Sequence, residues 1–402
     1  MTKTFRAVKI IDDVYWVGAI DWEIDDFHGY ATGRGSTYNA YLVLDETVTL
    51  IDTVKAPFVR EMLARVASVV DPAKIDLIIS NHSEMDHSGG LPQVVKAVKP
   101  KTLIASTMGQ KALGRHFNLD CDVTPVKDGE TVSIGKREFT FIETRMLHWP
   151  DSMFTYSASD KLLFSQDAFG MHLASSERFA DQIDAATLDE EAARYYANIL
   201  LPFSPLVLKL LEKVTAAGLA FDIIAPDHGP IYRKDLDWIV GRYAKWAEQK
   251  PTMKAVVVYD TMWHSTDRMA KAVAEGLTAG GASVKVMSLH TRHRSDAVTE
   301  LLDAGALVVG SPTLNNQMFP SVADFLVYLK GLKPKNLVGA AFGSFGWSGE
   351  APKLIQNELE AMKVLVAADP VTCNYVPKET DLAACRALGE TVAKKLAELC
   401  AG

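Results

Sequence analysis

His82, Glu84, Asp86 and His87 fall within six positions of the run Asn81-His82-Ser83-Glu84-Met85-Asp86-His87-Ser88-Gly89-Gly90. An isolated histidine in a loop is usually solvated or hydrogen-bonded. Imidazoles and carboxylates at this density, directly after the apolar residues 75–80, are instead arranged as a tight turn would need to aim them at one metal. Three more candidates end apolar runs in the same way: His148 after residues 139–144, Asp167 after 161–165 and His228 after 221–226. Together they make four imidazoles and three carboxylates, enough for two metals sharing one carboxylate. The four cysteines, Cys121, Cys373, Cys385 and Cys400, lie far apart with no Cys-x-x-Cys pair, which argues against thiolate-held iron–sulfur or zinc. A nitrogen–oxygen set without thiolate fits a carboxylate-bridged pair of irons, and spacing alone leaves zinc open.

A second constellation lies near the other end. The β-like residues 254–259 run into Asp260 and then Thr261, Met262, Trp263, His264, Ser265 and Thr266, after which a helix is expected. Hydroxyls and backbone N–H groups at a helix start form a phosphate cradle, here without lysine or arginine. Two later strand ends lead to Pro312, Thr313, Leu314 and Asn315, and to Ser344, Phe345, Gly346, Trp347, Ser348 and Gly349. Glycines there let backbone approach a flat ring, and Trp347 can lie beside it. No Gly-x-Gly-x-x-Gly motif points to a resident NAD.

The elements that must position these residues follow two grammars. Up to about residue 250, short strands and helices mix, with a strand-like region at 41–50 and an amphipathic helix near 57–70. The polar stretch at 246–252, closed by Pro251, marks a domain boundary, giving domains 1–250 and 251–402. Beyond it strands alternate regularly with helices, as expected of a doubly wound parallel sheet of five strands. The fold class is therefore α/β. At 402 residues, 48% hydrophobic and 23% charged, the chain has the composition of a globular protein of two or three domains. No apolar run approaches the roughly 20 residues of a membrane helix. The start, Met1-Thr2-Lys3-Thr4-Phe5-Arg6, lacks the apolar core of a signal peptide, so a cytoplasmic protein is expected. A net charge of −8 argues against nucleic-acid binding.

The first domain resembles the metallo-β-lactamase fold, an αβ/βα sandwich whose hydrolases usually carry His-x-His-x-Asp-His where this chain has Glu84 in place of the second His. That departure, followed by a flavodoxin-like domain, resembles the flavodiiron proteins (A-type flavoproteins), in particular their rubredoxin:oxygen oxidoreductase subgroup. The matching runs include Asp21-Trp22, Phe27-His28-Gly29-Tyr30, residues 144–153 and Pro226-Asp227-His228-Gly229, and the resemblance covers essentially the whole chain. It implies one iron on His82, Glu84 and His148, a second on Asp86, His87 and His228, and Asp167 bridging. It also implies FMN on the three loops of the second domain, although Trp263-His264-Ser265 stands where flavodoxins carry Gly-Asn. The implied activity is reduction of O2 to water, NO to N2O, or both, with rubredoxin as separate electron donor. The implied assembly is a head-to-tail homodimer, or a dimer of dimers, placing one subunit's FMN beside the other's irons. His28 and Tyr30 are candidates to sit over the open face and supply protons. Asp52 is a candidate acceptor for the outer ring proton of a metal-bound imidazole. Two other readings remain: a glyoxalase-like zinc or iron hydrolase, marked by flavin-independent thioester hydrolysis, and a pure electron carrier, indifferent to removal of metal.

Overall fold

The computed structural model describes residues 5–401, so residues 1–4 of the segment read for a leader lie outside it. The chain forms two compact units. One comprises residues up to His28, Thr32–Tyr195 and Pro205–Ala244; the other comprises Gly29–Ala31, Tyr196–Ser204 and the chain from Lys245 onward.

The first unit is built on two sheets. A seven-stranded sheet runs in the order Val8–Ile11, Val14–Trp16, Tyr41–Val43, Thr49–Ile51, Leu77–Ser80, Thr102–Ser106, Val123–Val126. A five-stranded sheet runs Thr131–Ser133, Glu138–Glu143, Met153–Ser157, Leu162–Gln166, Ile223–Pro226. Strand alternation separates two cores. Leu77 and Ile79 join Phe139, Phe141, Met153, Phe164 and Ala225 between the sheets. Ile78 points the other way, into a layer with Met62, Val66, Leu91, Val94 and Leu113 of helices Val59–Ala67, Leu91–Val98 and Thr107–His116. The strand Leu77–Ser80 is buried along its whole length, which accounts for its unbroken apolar sequence. The region 41–50, read as one strand, is an antiparallel pair in register Tyr41↔Ile51. Asp45 breaks it: its carboxylate accepts the backbone N–H groups of Glu46, Lys136 and Arg137, stabilising a turn.

In the second unit the strands Ser283–Ser288, Lys254–Tyr259, Ala306–Gly310 and Val338–Phe345 lie side by side, all parallel. The expected fifth strand is split: Leu365–Val366 and Val371–Asn374 both pair with Val338–Phe345, at successive positions along it. Ala255, Val257 and Tyr259 pack with Met269, Val273 and Leu277 of helix Ser265–Ala279 and with Cys385, Leu388 and Val392 of helix Glu379–Ala401. These two helices need glycine where they meet, since a Cβ on Gly276 would come within 2.0 Å of Arg386 O. The segments drawn from early in the sequence are tied in by polar contacts. Arg294 Nη2 donates to Gly29 O at 2.8 Å, and Ala31 N–H donates to Ser295 Oγ at 3.1 Å. Asn198 Nδ2 donates to Ser295 O at 3.3 Å, while Asn198 Oδ1 accepts the Tyr328 hydroxyl at 2.9 Å. Among the described residues no helix is long and apolar enough to cross a membrane.

Candidate metal centre and flavin cavity

Each metal candidate sits just past a strand end, where the sheet fixes the backbone and a loop turns the side chain inward. Strand Leu77–Ser80 ends before Asn81, and the short helix Met85–Ser88 brings Asp86 and His87 back toward His82 and Glu84. The parallel pair Leu162–Gln166 and Ile223–Pro226, with Gln166 opposite Pro226, places Asp167 and His228 at the same sheet edge. His148 lies in the loop between Glu138–Glu143 and Met153–Ser157. Gln166 Nε2 donates to Leu147 O at 2.6 Å, tying that loop to the strand that carries Asp167.

The seven side chains form two groups: His82, Glu84, His148 and Asp167, and Asp86, His87 and His228. His82 Nε2 lies 3.3 Å from both Glu84 Oε2 and Asp167 Oδ2, and His148 Nε2 lies 3.1 Å from the same two oxygens. On the other side His87 Nε2 lies 3.4 Å from Asp86 Oδ2 and 3.1 Å from Asp167 Oδ1. His228 Nε2 lies 3.1 Å and 3.5 Å from the same pair. Asp167 thus turns one oxygen to each group. Both Asp86 carboxylate oxygens, His87 Nε2 and Asp167 Oδ1 are buried without a hydrogen-bond partner. Orphaned buried atoms of this kind are costly unless something binds them, and converging nitrogens and carboxylate oxygens suit cations. The residues therefore fit two metal ions sharing a carboxylate.

The charges are strongly perturbed. Burial alone would raise Asp167, but His87, His148 and His82 hold its carboxyl well below the ordinary value. Burial would likewise raise Glu84, and His148, His28 and His82 hold it low. Burial would lower His87, yet Asp86 and Asp167 push it up to about 9. His148 also rises to about 9, as Asp167 and Glu84 outweigh its burial. Both imidazoles are therefore protonated below pH about 9 in the metal-free protein, and each must shed its proton before Nε2 can ligate. Titrating metal-free protein with ferrous ion should release more protons at pH 7 than at pH 10, with affinity rising between them. Calorimetry in buffers of different ionisation enthalpy measures this, and equal proton counts would contradict it.

Outer partners differ in part from the expected one. Asp52, raised to about 6 by burial, accepts Asn81 N–H at 2.7 Å and Asn81 Nδ2 at 2.8 Å, so it holds the ligand loop and not an imidazole. The residues facing imidazole Nδ1 atoms are Asp151 (3.5 Å from His82), Asp227 (3.6 Å from His87) and Thr37, whose carbonyl accepts from His228 at 2.6 Å. Asp151 also accepts Ser83 N–H at 2.6 Å. Its place just beyond Trp149-Pro150 was readable, but nothing in the sequence ranked it above Asp52. Buried His172, 2.7 Å from Ser36 Oγ and with its ring 4.4 Å from His228, had no spacing signal at all. Burial, then His228, keeps it well below the ordinary histidine value. His28 is largely exposed, and its Nε2 lies 2.9 Å from Glu84 Oε1, a bond that raises its pKa. Tyr30 is buried and is grouped with the second unit.

The second unit carries a cavity of about 610 Å³, of cofactor size. It opens at the carboxyl ends of the strands, beside the reversal of strand order between Lys254–Tyr259 and Ala306–Gly310. Met262, Trp263, Ser265, Pro312, Thr313, Leu314, Asn315, Ser344, Phe345, Gly346, Trp347 and Ser348 line it, as do Asn316 of the same loop and Tyr375 and Val376, which the sequence did not single out. Thr261, His264, Thr266 and Gly349 are not on its wall. His264 takes a left-handed turn (φ 64°) into helix Ser265–Ala279, Thr266 Oγ1 lies 2.9 Å from Ser344 Oγ, and Gly349 packs against Phe345. The Thr261 hydroxyl is buried without a partner. No lysine or arginine lines the cavity, while Trp263 and Trp347 are 88% and 90% exposed at its mouth. Uncovered rings beside neutral donors at a helix start fit a flat aromatic ligand with a phosphate.

A family profile described as ODP family beta lactamase matches residues 37–229, and one described as Flavodoxin matches residues 257–389. The chain is 49% identical over 395 residues to the rubredoxin-oxygen oxidoreductase of Megalodesulfovibrio gigas, spanning 97% of this chain and 98% of that one. It is 47% identical to the nitric oxide reductase of Moorella thermoacetica, over 98% of this chain and all of the relative. The crystal structure of the flavodiiron protein from Giardia intestinalis superposes with a TM-score of 0.95 at 35% identity, covering 100% of this chain and 99% of that one.

Proposed function

The chain belongs to the flavodiiron proteins, and from that premise we propose that residues 1–250 house a diiron centre and residues 251–402 an FMN site. In this reading His82, Glu84 and His148 hold one iron, Asp86, His87 and His228 the other, and Asp167 joins them. The protein is an oxidoreductase that reduces O2 to water, NO to N2O, or both, using electrons from a rubredoxin-type donor. The observation that carries it is Asp167, whose two carboxylate oxygens face one group each, the second of which holds the unsatisfied Asp86 oxygens and His87 Nε2.

When bound, the flavin stores two electrons and each ferrous ion one, matching the four that convert O2 to two waters, whereas converting two NO to N2O and water takes two. The protein's own residues supply position and protons. His28 Nε2–H donates to Glu84 Oε1, which leaves Oε2 turned toward His82 and His148. In this reading its exposed ring passes protons from solvent toward the centre. Thr37 O accepts from His228 Nδ1–H and so fixes the tautomer that presents Nε2. In the flavin cavity the N–H groups at the start of helix Ser265–Ala279 receive the phosphate.

We further assign a cytoplasmic location and a head-to-tail homodimer, or a dimer of dimers. The exposed Trp263, Trp347, Tyr375 and Val376 around the flavin cavity are apolar surface of the kind a second subunit covers. Purified protein should contain about two irons and one FMN per chain and consume O2 or NO when given reduced rubredoxin. Parallel O2 and NO assays with the same donor measure the preference. Flavin-independent thioester hydrolysis with neither gas consumed would overturn the assignment.

A further inference from the structure

One buried residue commits its backbone and side-chain N–H donors to a single ligand-bearing turn. Asn39, between strands Ser36–Tyr38 and Tyr41–Val43, is fully buried. Its backbone N–H donates to Asp227 O at 2.7 Å. Its Nδ2 donates to Pro226 O at 2.7 Å and to Gly229 O at 3.0 Å. Of the four carbonyls from 226 to 229, only that of His228 is left, and it accepts Met171 N–H at 3.4 Å. The turn is sharp: Gly229 has φ 74°, and a Cβ there would meet Met171 O at 2.7 Å.

The Asn39 amide works in one orientation only. Turned over, it would set its oxygen against two carbonyl oxygens. Trp16 Nε1–H donates to Asn39 Oδ1 at 2.8 Å and so selects the useful orientation. The Trp16 ring is itself held by two cations, with the Arg65 and Arg178 guanidinium carbons each 4.7 Å from its centre.

The Asn39 bonds bracket His228 and Asp227, which faces His87 Nδ1, and Pro226 O also accepts the Tyr41 hydroxyl. Both histidines belong to the group completed by Asp86. The other group is held mainly by other contacts, Asn81 on Asp52, Ser83 on Asp151 and Gln166 on Leu147, with one link between them in Asp227 N–H donating to Gln166 O at 2.8 Å. We propose that Asn39, oriented by Trp16, is a positioning residue that sets the affinity of the Asp86–His87–His228 metal site without affecting the His82–Glu84–His148 site. The inference rests on the diiron reading.

The test is a titration of metal-free, FMN-loaded protein with ferrous ion, together with iron and FMN analysis after desalting. Asn39→Ala removes both amide donors without adding charge; Trp16→Phe keeps an aromatic ring and removes only the orienting N–H. Partners that hydrogen-bond a ligating side chain directly change metal affinity roughly 10- to 100-fold, which bounds the effect of Asn39, one bond further out. In Asn39→Ala one of two binding steps should therefore weaken by at least severalfold and by up to roughly 100-fold while the other is unchanged. Trp16→Phe should weaken the same step less, and it decides the matter should Asn39→Ala fail to fold. Desalted Asn39→Ala should keep about one iron per FMN, an asymmetry that general destabilisation would not produce. Two intact steps in both variants, or equal weakening of both steps, would overturn the inference while leaving two irons in the parent protein. A parent protein binding fewer than two ions per FMN would overturn the diiron reading itself, and this inference with it.

Discussion

Asp167→Ala is expected to empty both metal sites and abolish O2 and NO consumption while leaving FMN bound. Losing a partner that merely orients a ligand costs roughly 10- to 100-fold in metal affinity, so losing a ligand common to both sites should cost more than about 100-fold at each. The two Asp167 oxygens are the nearest carboxylate contacts of His87 and, equally with Glu84, of His148. Without them four imidazoles, three of them buried, share only Glu84 and Asp86. Asp167→Asn is the informative comparison. Its amide oxygen can still serve one group but its nitrogen cannot ligate the other, so about half the iron should remain. Iron analysis beside the visible flavin spectrum measures both variants, and full iron content in Asp167→Ala would refute the bridging role.

Ser265→Asp should produce the reverse: colourless protein that keeps its iron. Ser265 lines the flavin cavity at the first position of helix Ser265–Ala279, and no lysine or arginine lines that cavity to offset a new negative charge. Two like charges about 4 Å apart at an effective dielectric constant near 20 repel by about 4 kcal/mol, roughly a thousandfold in affinity. The substitution should not harm the helix, because an acidic residue in the first turn interacts favourably with its dipole. Loss of colour therefore could not be put down to misfolding. Flavin content, iron content and rubredoxin-driven turnover would be read together; retained FMN would show that the phosphate does not sit at this helix start. The two substitutions separate the halves of the reaction, one removing iron and keeping flavin, the other the converse.

The metal centre was legible because its chemistry is dense in sequence and its scaffold regular. His82, Glu84, Asp86 and His87 crowd one turn, and His148, Asp167 and His228 each follow an apolar run long enough to be a buried strand. What could not be read was which distant acid meets which imidazole. Asp52, Asp151 and Asp227 all sit close to strand ends, and only the pairing of sheets decides that Asp52 serves the Asn81 backbone while Asp151 and Asp227 face His82 and His87. Likewise the loops around the candidate flavin cavity announced themselves by glycines and hydroxyls. Tyr375 and Val376 did not, because they join the cavity through the split of the last strand, and two short strand pieces leave too little alternation to recognise. The turn at Asp45 carries a signal of its own, an aspartate interrupting a hydrophobic stretch.

The inclusion of Gly29–Ala31 and Tyr196–Ser204 in the second unit bears on how this polypeptide can be dissected. A recombinant piece made of residues 251–402 alone would retain every loop around the flavin cavity. It would nevertheless lack the backbone that Arg294 and Ser295 hold and the amide that receives Tyr328. The face of helices Arg294–Leu301 and Pro320–Leu332 that those short stretches cover would then meet solvent directly. A truncated flavoprotein of this kind is best made with both stretches grafted back.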